Sequence, residues 1–311
     1  MHSSITTLTL NPAIDRTVTI PGFTAGAVNR VERVSDRAGG KGINVAAMLA
    51  AHGFKVAAMG FLGRDNLVPF TALFAASGIE DRCLRLQGQT RVGIKVVDPV
   101  SHETTDINFP GLAPSAWDLT SLREQLAGLS GGWCVIAGSL PPAVGPGVYR
   151  ELIALLKANG VRTVLDSSGE ALREALFAAP DIVKPNTHEL SAHLGRPMST
   201  EREVIAGARE LLAGGVKLVV VSRGADGACF VTTEEVIVAR PPAVTVHSTV
   251  GAGDAMVAGV VAAQILDLSL GECARLSTSY ALAVLTRTES GCDLGTASKA
   301  FLGQVEITAC S

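Results

Sequence analysis

Short apolar, β-branched runs alternate with longer segments of helical periodicity along almost the whole chain. That order constrains the fold more than any other feature. Runs at 5–10, 55–61, 133–137, 162–166, 182–184 and 216–222 have the length of strands and are apolar on both faces. Between them, 43–52, 67–77, 149–159, 171–178, 201–213 and 270–286 repeat apolar residues at helical spacing. A strand buried on both faces needs helices on either side, so the order predicts an α/β fold: a three-layer α/β/α sandwich around a mainly parallel central sheet. Gly53, Gly78 and Gly160 fall just past three of the helices, where left-handed C-caps are expected. One large unit with a small appendage accounts for 311 residues, so a single domain spanning 1–311 is expected.

Two regions break the alternation. Residues 17–20 with 27–34, and 90–97 with 103–109, read as alternating strands with one polar face each. Four such strands, inserted at about 15–35 and 90–109, predict a small separate sheet. Its expected roles are a lid over the main site and, where its apolar face is uncovered, the surface of a homodimer.

Composition removes several classes of function. Hydrophobic residues make up 47% and charged residues 18%, which argues for a large core and against disorder. The net charge is −3, no basic block occurs and aromatics are few, so nucleic acid is not an expected partner. The start of the chain lacks the basic and apolar regions of a secretion signal. The longest apolar stretch, 255–266, is interrupted by Gln264 and is shorter than the ~20 residues of a membrane span. A soluble cytoplasmic protein without a membrane partner is expected. Cys83, Cys134, Cys229, Cys273, Cys292 and Cys310 form no Cys-x-x-Cys pair and read as reduced, mostly buried thiols.

The chemistry concentrates in Thr249-Val250-Gly251-Ala252-Gly253-Asp254. Two closely spaced glycines at a helix entry let several backbone N–H groups converge on one anion, and an acid one residue on can take a proton from an attacking hydroxyl. Ala38-Gly39-Gly40-Lys41-Gly42-Ile43-Asn44 also sets glycines before a helix, with a lysine and an amide facing a polar ligand. No Walker A sequence is present. Asn11-Pro12-Ala13-Ile14-Asp15 follows the first strand, where open α/β sheets bind ligands. Asp15 there reads either as an acceptor for two sugar hydroxyls or as part of an Asx turn. Lys184-Pro185-Asn186-Thr187-His188-Glu189 sets Asn186 and Glu189 on one helical face, suited to Mg²⁺ through waters. His188 and His193 are five apart, which turns them off a common face, so they read as surface residues rather than zinc ligands. Ser222-Arg223-Gly224-Ala225-Asp226-Gly227 ends a buried strand in a glycine-bounded turn, either a nucleotide contact or a plain hairpin. A nicotinamide-dependent dehydrogenase would need G-x-G-x-x-G after the first strand, and that strand runs instead into Asn11-Pro12.

Together with Gly138-Ser139-Leu140-Pro141, and in this order along the chain, these segments resemble the ribokinase-like superfamily of carbohydrate kinases in its minor phosphofructokinase branch. The resemblance implies ATP-dependent phosphorylation of a sugar phosphate on a ribokinase-like fold with a β-sheet lid. Phe61-Leu62-Gly63-Arg64-Asp65-Asn66, Gln87-Gly88-Gln89-Thr90-Arg91 and Thr105-Asp106-Ile107-Asn108-Phe109 are most similar to members acting on fructose 1-phosphate. Tagatose 6-phosphate and fructose 6-phosphate are the alternatives. Val28 and Lys41 stand where members that take fructose 6-phosphate can carry lysine and glycine, which weakens that alternative.

The resemblance further implies that Asp254 is the catalytic base and that Gly251, Ala252 and Gly253 form the anion hole. It assigns Asp15, Gly39, Gly40, Asn44 and Ser139 to the sugar, and Arg30, Lys41 and Arg91 to its phosphate. Lys184, Asn186, Ser222, Arg223, Gly224, Gly227, Ser248 and Thr249 would line the ATP side, with Asn186 and Glu189 near Mg²⁺. Ser248, Val250, Val284 and Arg287 fall where a monovalent cation such as K⁺ would be held.

Overall fold

The computed structural model describes residues 4–101, 103–287 and 294–310; Cys292 lies outside them. The chain opens with β1 (Ile5–Thr9), β2 (Ala13–Thr19), β3 (Arg33–Gly39), α1 (Lys41–Ala51), β4 (Val56–Gly63) and α2 (Val68–Ser77). There follow β5 (Glu80–Asp81), β6 (Leu84–Leu86), β7 (Val92–Asp98), β8 (Glu103–Ile107), α3 (Ala116–Ala127), β9 (Trp133–Ala137), α4 (Val148–Ala158) and β10 (Arg162–Asp166). Next come α5 (Gly169–Leu176), β11 (Ile182–Val183), α6 (Thr187–Leu194), α7 (Glu201–Ala213), β12 (Leu218–Ser222), β13 (Ala228–Val231) and β14 (Val236–Arg240). The chain closes with α8 (Ala252–Ile265), α9 (Leu270–Leu285), α10 (Leu294–Phe301) and β15 (Glu306–Cys310).

The main sheet runs β15-β14-β13-β12-β11-β10-β9-β1-β4-β5, with β6 also on β4. It is parallel from β12 to β5 and antiparallel from β12 to β15. Helices α1, α2, α8 and α9 cover one face and α3, α4, α5, α6 and α7 the other, which makes the expected three layers. Gly53, Gly78 and Gly160 all take positive φ after their helices. Helices α3, α6, α7 and α9 each start with a reciprocal capping box, two orphan N–H groups being satisfied by an N-cap side chain and an acid three residues on.

Helix α8 is buried from Asp254 to Ala263 because it is apolar on every side and packs between α1 and α9. Gly259 permits the closest part of that packing, since a Cβ there would lie 2.5 Å from the Ser277 Cα of α9.

The second sheet, β3-β2-β7-β8, differs from expectation in register and extent. Residues 27–32 form no strand; the strand is Arg33–Gly39, paired antiparallel with β2 from Ala13. The apolar residues of 27–34, Val28, Val31 and Val34, recur every three residues rather than every two and are 86, 47 and 59% exposed, so no buried face fixes a strand there. Asp15 therefore sits within β2 and in no Asx turn. Among the described residues, no helix is long and apolar enough to cross a membrane.

Candidate active site

In the main sheet β1 lies between β9 and β4, so chain connections depart from it in both directions. The carboxyl ends of strands at such a point leave a crevice. Segments following β1, β9, β10 and β11 meet there with the N-termini of α1 and α8. Asp166, the last residue of β10, is 1% exposed and carries two cations: Lys41 Nζ donates to Oδ1 at 2.7 Å, and Lys184 Nζ lies 3.4 Å from Oδ2. Burial opposes the Asp166 charge, yet Lys184 and Lys41 outweigh it and hold the carboxyl below its ordinary range. Burial likewise opposes the Lys41 charge, and Asp166 overrides it, so the ammonium is held up.

Asp254 stands in the first turn of α8, 7% exposed, and accepts a hydrogen bond from Asn44 Nδ2 at 2.7 Å. Burial first, and Asp166 second, push its carboxyl up to about 6 against the opposing pull of Asn44, Lys41 and Lys184. A carboxylate at that value is mostly ionised at neutral pH and more basic than an ordinary aspartate, as proton abstraction requires. Gly251 takes φ 83 at the N-cap of α8, a conformation that favours glycine. A methyl added to Gly253 would sit 3.5 Å from Lys184 Nζ, so a buried cation flanks the N–H groups of this turn.

The second sheet roofs a cleft of about 360 Å³, at the small end of ligand pockets and suited to a monosaccharide. Asp15, Gly40, Lys41, Asn44, Arg91 and Ser139 line it, whereas Gly39, assigned with them, is not among the lining residues. Asn11 Nδ2 donates to Ser139 Oγ at 3.1 Å, tying the ends of β1 and β9. Burial raises the Asp15 carboxyl, against the pull of Lys95 and Arg91.

Several expected site residues lie elsewhere or are already occupied. Arg30 is exposed on the segment between β2 and β3 and does not line this cleft. Arg223 turns its guanidinium to Glu201 Oε2, at 2.7 Å, which Arg240 also reaches. Ser222, Gly224 and Gly227 do form the β12–β13 hairpin turn. Asn186 and Glu189 cap α6 reciprocally: Asn186 Oδ1 accepts from Glu189 N and Glu189 Oε2 from Asn186 N, both at 2.8 Å. Ser248, Thr249 and Val250 are exposed, on a loop that His247 N ties to Leu285 O at 2.8 Å, beside Val284 and Arg287. His193, expected at the surface, is half-buried between α5 and α7. Asp166 and Lys95 belong to no motif of the sequence, and Asp106 and Asn108, within the 105–109 segment that carries the resemblance, had no site role assigned to them. Asp166 reads as the end of an apolar strand, and only its position at a sheet end facing two lysine-bearing segments marked it.

Residues 8–297 match the pfkB family of carbohydrate kinases. The chain belongs to that family. A 1-phosphofructokinase of Rhodobacter capsulatus is 50% identical over 288 residues, 92% of this chain and 91% of its own. Another from Xanthomonas campestris is 46% identical over 292 residues, again 92% and 91%. Among solved pfkB-type kinases, phosphofructokinase-2 of Escherichia coli in complex with potassium superposes with a TM-score of 0.90 at 32% identity, covering 97% of this chain and 98% of that one. The same protein is also known as a tetrameric inhibited form. Membership of the pfkB family makes the protein a carbohydrate kinase with a ribokinase-like fold, as its sequence segments suggested.

Proposed function

We propose that the protein transfers the γ-phosphoryl group of ATP to the free primary hydroxyl of fructose 1-phosphate, giving fructose 1,6-bisphosphate and ADP. The observation that carries this reading is Asp254: a buried carboxyl raised to about 6, directly after the glycine turn and fixed by Asn44 at the edge of the cleft. Asp254 takes the hydroxyl proton as its oxygen attacks the γ-phosphorus, and the bond to the bridging oxygen of ADP breaks. Backbone N–H groups of Gly251, Ala252 and Gly253, with Lys184 beside them, offset the charge on the phosphoryl group in flight. Asp15, Gly39, Gly40, Asn44 and Ser139 hold the sugar, and Lys41 and Arg91 border it with positive charge. The hairpin turn at Ser222, Gly224 and Gly227, with Ser248 and Thr249, lines the nucleotide side. The choice of fructose 1-phosphate is supported by the two 1-phosphofructokinases at 50% and 46% identity.

Mg²⁺ fits the donor set. Glu189 gives one carboxylate oxygen to the α6 cap, and its other, Oε1, has no protein partner among the described residues. Its charge is felt by Lys41 at the site. Glu189, with Asn186 beside it, would hold the ion through waters, and Mg²⁺ when bound neutralises phosphate charge. A K⁺ site is supported by the approach of the 247–250 loop to the C-terminal end of α9, the negative end of that helix, where His247 N donates to Leu285 O at 2.8 Å. The second sheet acts as a lid, and the apolar Val34 and Ile107, 59% and 44% exposed on its outer face, suit a homodimer. ATP as donor makes the cytoplasm the compartment.

Coupled ADP release with fructose 1-phosphate, fructose 6-phosphate, tagatose 6-phosphate and free fructose tests the reading. Fructose 1-phosphate is expected to give the highest kcat/KM, with free fructose at least ~10²-fold lower. A higher value for either 6-phosphate would move the enzyme to another substrate within the family.

A further inference from the structure

Three cations were expected to meet the sugar's phosphate, and the fold engages or displaces each. Lys41 is bound to Asp166 at 2.7 Å. Arg91 directs its fork at the backbone, donating to the carbonyls of Asn11, Pro12 and Phe109 at 3.3 Å each. Arg30 is exposed and outside the cleft.

A fourth cation, Lys95 of β7, does line the cleft. Its strand position decides which way it faces. Gly93 pairs with Asp15 across β2 and β7, and the Cβ position of Gly93 lies 3.5 Å from both Asp15 Oδ1 and Asn108 Oδ1. Asp15, Gly93 and Asn108 therefore share the cleft face of the sheet. Side chains two apart on a strand share a face, so Lys95, and Asp106 opposite it on β8, stand there too. The Lys95 side chain is 18% exposed, and its ammonium lies 4.0 Å from Asp106 Oδ1. That separation gives charge attraction without a hydrogen bond, so the ammonium's donors are not used by Asp106.

We propose that Lys95 is the specificity-determining cation for the phosphate of the sugar, with Asp106 as the counter-ion that holds its ammonium over the cleft until the phosphate takes it. The inference rests on the reading that the acceptor is a phosphorylated ketohexose. A dianionic phosphate gains charge-assisted hydrogen bonds from Lys95, and no hydrogen bond to Asp106 need break. Asp106, 54% exposed, returns to water easily and repels any phosphate that settles on its own side. A neutral hexose gains neither effect.

The test is steady-state kinetics on the full chain, with direct titration of fructose 1-phosphate, for the parent, Lys95→Met, Lys95→Arg, Asp106→Asn and the Lys95→Met/Asp106→Asn double variant. Lys95→Met is expected to raise KM and Kd for fructose 1-phosphate about 10- to 100-fold, the range of one hydrogen bond to a charged group. The kcat should stay within about threefold, with KM for ATP and the weak activity on free fructose unchanged. Lys95→Arg should restore most of the affinity, Asp106→Asn should leave KM equal or lower, and the double variant should match Lys95→Met. The proposal is overturned if Lys95→Met leaves KM within twofold. It is also overturned if that variant weakens fructose and fructose 1-phosphate by the same factor, or if Asp106→Asn raises KM as much as Lys95→Met. A parent that prefers free fructose removes both this proposal and the acceptor reading. A parent that prefers fructose 1-phosphate, with Lys95→Met unaffected, removes this proposal alone.

Discussion

The floor and the roof of the cleft hold their charges in opposite ways. On the floor, Asp166 is buried with two lysines at 2.7 and 3.4 Å, and Asp254 is fixed by Asn44, so the electrostatics exist before any ligand arrives. On the roof, Lys95 and Asp106 are 4.0 Å apart and Asp106 is half-exposed, so their attraction is weak and exchangeable. A preorganised floor acts on the transition state, where charge develops and no reorganisation is wanted. Under the proposed reading an adjustable roof acts on ground-state binding, since its contacts would form with the sugar phosphate.

The sharpest break in this contrast is Asp254→Asn. It should lower kcat by about 10² to 10⁴ with ATP affinity nearly unchanged. A carboxyl whose folded pKa is raised from 3.8 to about 6 costs stability progressively between those pH values and in full above about pH 6, so at pH 7 the same variant should unfold at an equal or higher temperature than the parent. Turnover within tenfold of the parent would remove Asp254 as the base.

Asp166→Asn tests the floor as structure. It removes the carboxylate paired with the buried Lys184 and should cost about 3 to 5 kcal/mol in denaturant unfolding. A loss below about 1 kcal/mol would mean that the floor is not preorganised by this pair. The pH profile sharpens the same point: kcat/KM should fall about tenfold per unit below pH 6, as Asp254 is protonated. In Asn44→Ala, which loses the hydrogen bond favouring the ionised form, that limb should move to higher pH. The smallest effect belongs to Arg16 and Asp36, joined at 2.7 Å on the outer face of the roof with 43% and 33% of their side chains exposed. Arg16→Ala should cost about 0.2 to 1 kcal/mol and leave KM unchanged. A rise in KM would show that the roof is as rigid as the floor.

Legibility in the sequence follows the same division. The strands at 133–137 and 162–166 and the helix at 201–213 were readable to the residue, because two-sided burial and a capping box fix their ends. The glycine turn and Asp254 were readable because their spacing is local. The β2–β3 register was not, since the first five residues of β3 are exposed and its period of two is fixed by no core. Asp166 escaped notice because its partners Lys41 and Lys184 are 125 and 18 residues away. Lys95 escaped, and Asp106 was quoted in a motif without a role, because a polar residue on an alternating strand looks the same whether it faces water or a ligand.

The backbone contact at Gly259 has a mechanical consequence. Helices α8 and α9 touch there main chain to main chain, leaving no side chain between them to compress or change rotamer. The glycine turn opens α8, and the contact of His247 N with Leu285 O lies at the far end of α9. The two helices therefore move as a single welded part, and the alignment of the glycine turn with the C-terminal end of α9 is set by backbone contact rather than adjusted by packing.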